Sequence, residues 1–443
     1  MKKFLFIATI NYFCEIFCIM FKQISKIISP SSEFSKNFFI LFKGTVIAQI
    51  IPMLLMPVLT RMYSPDDFGI LELFVSVIAI LGSVANLRYE LSIVLPERKE
   101  DAWNIMSLGF IIAFILSIFL QIIIGFFAEG IASLLNNSQI KFWLYFVPIT
   151  VFVQGAFNML SYYNTREKLF KSISTASIAR SSSRTGTQIA LGFISKSPMG
   201  LILGQIIGYI ASIIPLMSKI KLKLFIRKTS LANMKVQAKK YKDFPKYTMP
   251  ATLANVLAIN LTSILISALY NITQVGYYSL SNRILGLPSA IIGTSMQNVY
   301  YKEAHDQLKK YGHAKEVFLS TLKKLGLLSI PIIIVVFFLG EWLFAVIFGA
   351  EWRIAGYYAK ILIPLIMIRF VTAPLSISLS VFEKQKISLF WQIGLLVLTV
   401  LIFGFVKFFN LNMISFMILL SSILSLYYIY FLYLLYKVVS GKL

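Results

Sequence analysis

The chain alternates long apolar runs with short polar or charged turns, and this rhythm holds from residue 38 to the C-terminal end. The stretch RMYSPDDFGILELFVSVIAILGSVANLRYELSIVLPERKEDA, residues 61–102, shows one full cycle: a polar turn, a membrane-length apolar run and a charged connector. The pattern predicts about twelve helices, over 38–60, 68–87, 103–127, 142–163, 173–194, 198–218, 247–269, 276–299, 317–339, 356–381, 388–408 and 412–436. Each run is close to the ~20 residues needed to cross a bilayer core. The runs are long and continuous rather than the ~10-residue alternating segments of a membrane β-barrel. A helix also satisfies its backbone within one segment, as lipid contact requires. The expected fold is therefore an all-α integral membrane protein.

The first residues break the rhythm. Lys2 and Lys3 precede an apolar run, Phe4–Phe21, interrupted by Asn11 and Glu15. No small-residue cleavage site follows, which argues against a signal peptide. A spanning helix here would reverse every later segment against the charge pattern. Two readings stay open for residues 1–35: translation begins at Met20, or the segment lies in the membrane interface.

Charge fixes the orientation. Alternate connectors carry Arg88, Arg98 and Lys99; Arg166, Lys168 and Lys171; a long run of Lys and Arg between Lys219 and Lys246; Lys302 to Lys324; and Lys384 and Lys386. The other side holds only Arg61, Lys141, Lys196 and Arg353. By the positive-inside rule both termini are cytoplasmic, which fits an even number of helices. The basic connector 219–246 divides them into bundles over 36–218 and 247–443. Phe68-Gly69-Ile70-Leu71 and Val275-Gly276-Tyr277-Tyr278 each open a helix after a polar turn, so the bundles read as two pseudo-symmetric six-helix halves with a site between them.

Composition narrows the function. The 443 residues are 58% hydrophobic and 14% charged, with a formal net charge of +24. In a chain with this block pattern the excess cations hold loops on the cytoplasmic side, so nucleic acid is not an expected partner. Cys14 and Cys18 form no disulfide framework or metal spacing. A phosphate-binding Gly-rich loop and nucleophile motifs are missing, so the chain reads as non-enzymatic, without cofactor or metal.

Charges inside the bilayer are costly and turn towards cavities or partners. The first helix holds Lys43, the second Glu72, the fifth Arg180 and Arg184 one turn apart on one face, the eighth Arg283, and the tenth Lys360 and Arg369. Lys360 reads as a lysine reaching towards the interface. Lys43 and Glu72 could form a structural pair. The balance is cationic, with Glu72 the one clear acid, which suits an anionic cargo: guanidinium groups grip phosphate oxygens through paired charge-assisted hydrogen bonds. An ion-coupled extruder of cationic drugs or small solutes, the alternative, would need buried carboxylates. A membrane glycosyltransferase or polymerase would need a catalytic carboxylate or a large outer loop. Arg88 and Glu90, closing the second helix, could gate the cytoplasmic mouth, and Glu72 or Glu90 could couple transport to H+ or Na+. Prolines 52, 57, 148, 288, 364 and 374 would break helical ladders where neighbours or cavity water compensate.

Three stretches carry a family resemblance: FSKNFFILFKGTVIAQIIPMLLMPVLTRMYSPDDFG, GYYSLSNRILGLPSAIIGTSMQNVYYKEA and TAPLSISLSVFEKQKISLFWQ. In this order they resemble the polysaccharide-export flippases, within the superfamily that also holds the multidrug and toxin extruders (MATE). The resemblance implies a MATE-like fold in the bacterial inner membrane. The implied cargo is a polyprenyl-diphosphate-linked oligosaccharide repeat unit for O-antigen lipopolysaccharide, capsule or a related glycan. It further implies contact with membrane lipids, and a polysaccharide polymerase and a chain-length regulator as neighbours. On this reading the diphosphate is held by Arg180, Arg184 and Arg283, with Lys43 and Arg369 as further candidates.

Overall fold

The computed structural model describes residues 33–220, 225 and 227–442, and among them every regular element is helical. The expectation for the N-terminal segment falls almost entirely outside the described residues. The helices are α1 (Glu33–Met62), α2 (Pro65–Gly82), α3 (Lys99–Leu134), α4 (Ile140–Arg166, with a short break at 145–146), α5 (Phe170–Ile194) and α6 (Pro198–Met217). They continue with α7 (Phe244–Leu269), α8 (Ile272–Leu285), α9 (Lys315–Phe348), α10 (Arg353–Leu375), α11 (Gln385–Phe408) and α12 (Met413–Val439). All twelve expected segments are thus helical. Nine, all but α2, α5 and α8, are long and apolar enough to cross a membrane. The chain is a multi-pass membrane protein.

The boundaries differ from expectation in two places. The eighth segment is not one span. Gly286 caps α8, Pro288 follows, a π-turn covers Ser289–Gly293, and a polar arm continues over Thr294–Tyr311. Proline removes a backbone donor and crowds the preceding turn, so the ladder is interrupted there. By contrast Pro52, Pro57 and Pro364 lie inside continuous helices. The second segment is shorter than read: α2 ends at Gly82, and the turn that follows places Leu87 and Arg88 at φ 49° and 64°. Two successive left-handed residues that are not glycine end any helix.

By contact the chain forms two compact units. The first comprises the residues up to Met62, Tyr89–Phe114 and Phe152–Lys242; the second comprises Tyr63–Arg88, Ile115–Val151 and Asp243–Leu443.

In the first unit, α5 packs along α6 with almost no side chain between the backbones. A methyl group on Gly204 would lie 2.8 Å from the Arg184 carbonyl, and one on Gly208 would lie 2.9 Å from the Arg180 carbonyl. Close helix approach through a small-xxx-small row is the usual solution where apolar driving force between helices is weak. Buried Gln188 adds a hydrogen bond from its amide to the Leu201 carbonyl, 3.0 Å. The basic connector is docked rather than loose. Its helix, Leu231–Lys240, is capped by Ser230. Fully buried Asn104 accepts from the Ser230 N–H (3.0 Å) and donates to the Lys228 carbonyl (3.4 Å). Gln237 donates to Asp101 (2.9 Å), and the Tyr89 hydroxyl donates to the Ala238 carbonyl (3.1 Å). The first turns of α3, with Tyr89 before them, are therefore the seat of the basic connector.

In the second unit, α2 and α8 cross at their first turns. Ser64 and Asp67 form a capping box at the start of α2, and Asn271 accepts from the Gln274 N–H at the start of α8. The contact is reciprocal: a methyl group on Gly69 would run into the Ile272 carbonyl, and one on Gly276 into the Pro65 carbonyl. Each glycine sits one turn below the residue whose carbonyl the other helix meets. The internal similarity between the two hairpins is thus a matched packing device. Trp352, fully buried, holds this region from the outer side, edge-on to Phe68 at 5.0 Å and to Tyr277 at 6.1 Å.

Candidate functional site

The sequence-predicted residues fall into two groups. The first unit holds Lys43, Arg180, Arg184 and Glu90; the second holds Glu72, Arg88, Arg283 and Arg369. Each group has its own geometry.

On α5, Arg180 is half-buried against two aromatic rings that stand edge to face. Its guanidinium carbon is 3.7 Å from the centre of the Tyr209 ring on α6 and 5.3 Å from that of Phe157 on α4. Among the described residues no carboxylate pairs with it. A cation–π contact uses the ring faces rather than hydrogen-bond acceptors, so guanidinium N–H groups stay available for an acceptor. In a desolvated setting such a contact contributes about 2 kcal/mol. Arg184, one turn on, packs its Cβ against the bare backbone of Gly208. The two arginines share a face, as their spacing requires, and that face lies on α6. Lys43 is exposed on α1, next to the close crossing where Gly44 meets Ser174 of α5. The ring partners Phe157 and Tyr209 were not found from sequence. The one signal for Tyr209 is its place directly after the Gly204–Gly208 row that faces the arginines.

On α2 and α8, Glu72 and Arg283 form an ion pair, with Nη2 to Oε2 at 3.8 Å and the two side chains 18% and 36% exposed. The Ser263 hydroxyl of α7 donates to the other oxygen of Glu72, 3.3 Å away. The ion-pair partner of Glu72 is therefore Arg283, where the sequence reading had offered Lys43. The pair is long, so Arg283 retains donors. Buried Tyr278 lies within electrostatic reach of both Glu72 and Arg369, and the Arg369 guanidinium stands 5.9 Å from the Tyr428 ring. This unit thus holds two arginines around one neutralised carboxylate. Arg88 and Glu90 lie in the turn after α2, with Glu90 2% exposed. Their neighbour Tyr89 makes the hydrogen bond to the connector helix described above.

What these arrangements do chemically is limited by the helices that present them. α2, α5 and α8 are the three that are too short or too polar for lipid. Such helices are tolerated in a membrane where protein or a water-filled cavity surrounds them. The chain is thus a multi-pass membrane protein in which polar helices accompany long apolar ones. The fold agrees. A multidrug resistance MATE family transporter of the MOP superfamily, in its inward-facing conformation, matches with a TM-score of 0.68 at 11% identity, over 90% of this chain and 98% of that one. The lipid II flippase MurJ, in an inward closed conformation, matches with a TM-score of 0.65 at 15% identity, over 92% and 87%.

The sequence carries the finer relationship. Residues 58–356 match the family described as "Polysaccharide biosynthesis protein", and the chain belongs to that family. It is 21% identical over 305 residues to the succinoglycan biosynthesis transport protein ExoT of Rhizobium meliloti (strain 1021), covering 68% of this chain and 59% of ExoT. It is 23% identical over 160 residues to the teichuronic acid biosynthesis protein TuaB of Bacillus subtilis (strain 168), covering 36% and 33%. The chain thus spans about three-fifths of the first of these relatives and a third of the second.

Proposed function

We propose that this protein is a flippase for polyprenyl-diphosphate-linked oligosaccharide repeat units in the bacterial inner membrane. The halves 36–218 and 247–443, joined by 219–246, would expose a shared site to either side in turn. The observation that carries the reading is Arg180: a guanidinium against the Tyr209 and Phe157 rings, with no carboxylate partner among the described residues and N–H groups left for an anion. Arg184, Arg283, Lys43 and Arg369 are the further cations of the diphosphate site. The lipid tail trails in the bilayer while the sugars occupy polar space. Glu72 couples the cycle to H+ or Na+ by exchanging Arg283 for the ion, and Arg88 and Glu90 gate the cytoplasmic mouth. The product feeds O-antigen, capsule or related glycan assembly, with a polymerase and a chain-length regulator downstream.

The family supports this reading over extrusion of small cations; the fold is common to a multidrug transporter and a lipid II flippase and favours neither. The test is the sidedness of lipid-linked repeat units in a strain lacking the gene. We expect accumulation on the cytoplasmic face, relieved by the intact gene but not by Arg180→Ala or Arg283→Ala. Rescue by both variants would remove the cationic site from the proposal. Absence of accumulation, together with altered sensitivity to cationic drugs, would replace the flippase with the extruder.

A further inference from the structure

A cleft of about 350 Å³ opens between α9, α10 and α12, wholly within the second unit and apart from the Glu72–Arg283 pair. Lys360 supplies its charge. This residue lies seven positions into α10, about 10 Å below the helix's outer end at 1.5 Å per residue. The sequence reading had it reaching out towards the interface. Instead its ammonium sits 5.0 Å from the Phe337 ring across the cleft. One turn nearer the outer end, Gly340 and Gly356 bring the α9 and α10 backbones together, so closely that a methyl group on Gly356 would lie 2.6 Å from the Gly340 carbonyl.

Lys360 makes no ion pair among the described residues, yet a cation at this depth is costly unless an anion or water accompanies it. The rest of the lining suits an anion. The Ser421 hydroxyl is already committed to the Ile361 carbonyl, 2.7 Å away. Ser422 is exposed in the cleft, and the Ser425 oxygen is buried, lines the cleft and has no partner. One ammonium with three donors and the exposed Ser422 hydroxyl can hold a single phosphodiester, with the Ser425 oxygen closed off beneath. The walls beside it are apolar and exposed, with Phe337 at 46% and Ile418 at 50%, as fits acyl chains.

We propose that this cleft binds an anionic phospholipid of the surrounding bilayer, with the phosphate on Lys360 and Ser422 and an acyl chain along Phe337. A zwitterionic lipid would bring its own ammonium towards Lys360 and is disfavoured. The experiment is native mass spectrometry of the purified full chain, equilibrated with equal amounts of phosphatidylglycerol, phosphatidylethanolamine and phosphatidylcholine. The wild-type protein retains phosphatidylglycerol selectively. Lys360→Met lowers that retention about tenfold, the scale of one hydrogen bond to a charged group. Lys360→Arg keeps it, and Ser422→Ala lowers it while leaving the charge in place. Because the serine variant alters no charge and little volume, it tests the site even if Lys360→Met fails to fold. Equal retention by wild type and both variants would overturn the proposal, as would equal retention of the three lipids. Displacement of phosphatidylglycerol by equimolar polyprenyl phosphate would overturn the assignment to a bilayer phospholipid.

Discussion

The crossing of α2 and α8 makes a quantitative prediction about cooperativity within the second unit. Gly69 and Gly276 each face a backbone carbonyl of the other helix, and a Cβ at either position would overlap it well inside van der Waals contact. A carbonyl in the first turn of a capped helix cannot swing aside as a side chain can. Each substitution to Ala must therefore part the helices by about an ångström, and overpacking of this kind costs about 3 kcal/mol at the upper end of its usual range. Because the contacts are reciprocal, one separation relieves both. Gly69→Ala and Gly276→Ala should each destabilise by about 3 kcal/mol, while the double variant should lose about 4 kcal/mol rather than the additive 6. Gly404→Ala on α11 is the control: nothing lies within 4 Å of its added methyl, and better helix propensity should leave stability equal or slightly higher. The assay is equilibrium unfolding of the purified protein in mixed micelles of rising SDS fraction, followed by tryptophan fluorescence. Single variants that unfold with the wild type, or single costs that add, would refute the reciprocal contact.

Two further outcomes follow from the first unit. Tyr209→Leu leaves the Arg180 charge but removes the ring it rests against, so transport should fall about tenfold; Arg180→Lys should not rescue, because an ammonium lacks the guanidinium's paired N–H donors. Full activity of either variant in the repeat-unit sidedness assay would remove Arg180 from the site. Asn104→Ala leaves the Ser230 N–H and the Lys228 carbonyl without their buried partner, a loss of about 2 kcal/mol, or roughly thirtyfold in the opening of the connector helix. Limited trypsin digestion should then cut at Lys228 or Lys235 correspondingly faster, and an unchanged rate would show that the connector is held by other contacts.

The helices were legible because a bilayer sets a minimum length for every spanning run; the lysine asymmetry adds an expected direction. What escaped the reading was settled by residues far apart in sequence. Glu72 and Arg283 were each recognisable as charges in apolar runs, but nothing in either neighbourhood indicates that they meet, with Ser263 on the same carboxylate. Phe157 and Tyr209 look like two among many aromatics until α5 lies on the glycine row of α6. Pro288 marked a weakness in the eighth segment, and the ladder is interrupted there, between the Gly286 cap and the π-turn Ser289–Gly293. The connector 219–246 read as a loop defined by its charge alone; its Gln237, with Asp101 and Asn104 in the first turns of α3, turns part of it into a docked helix.

The three helices that fail as membrane spans are the ones that carry Glu72, Arg180, Arg184 and Arg283, and one physical cause underlies both facts. At 1.5 Å per residue, the 18 residues of α2 reach about 27 Å and the 14 of α8 about 21 Å, short of a core of about 30 Å. α5 is long enough, but SIARSSSRTGTQ would strand two guanidinium groups in hydrocarbon. Such helices persist in a membrane only where protein or cavity water shields them. Glu72 is paired with Arg283, whereas Arg180 rests against aromatic rings and pairs with no carboxylate among the described residues. On the proposed function a diphosphate would meet guanidinium donors there, while a cationic drug would meet like charge. Reversing that preference would require a carboxylate facing Arg180, and neither α4 nor α6 carries one.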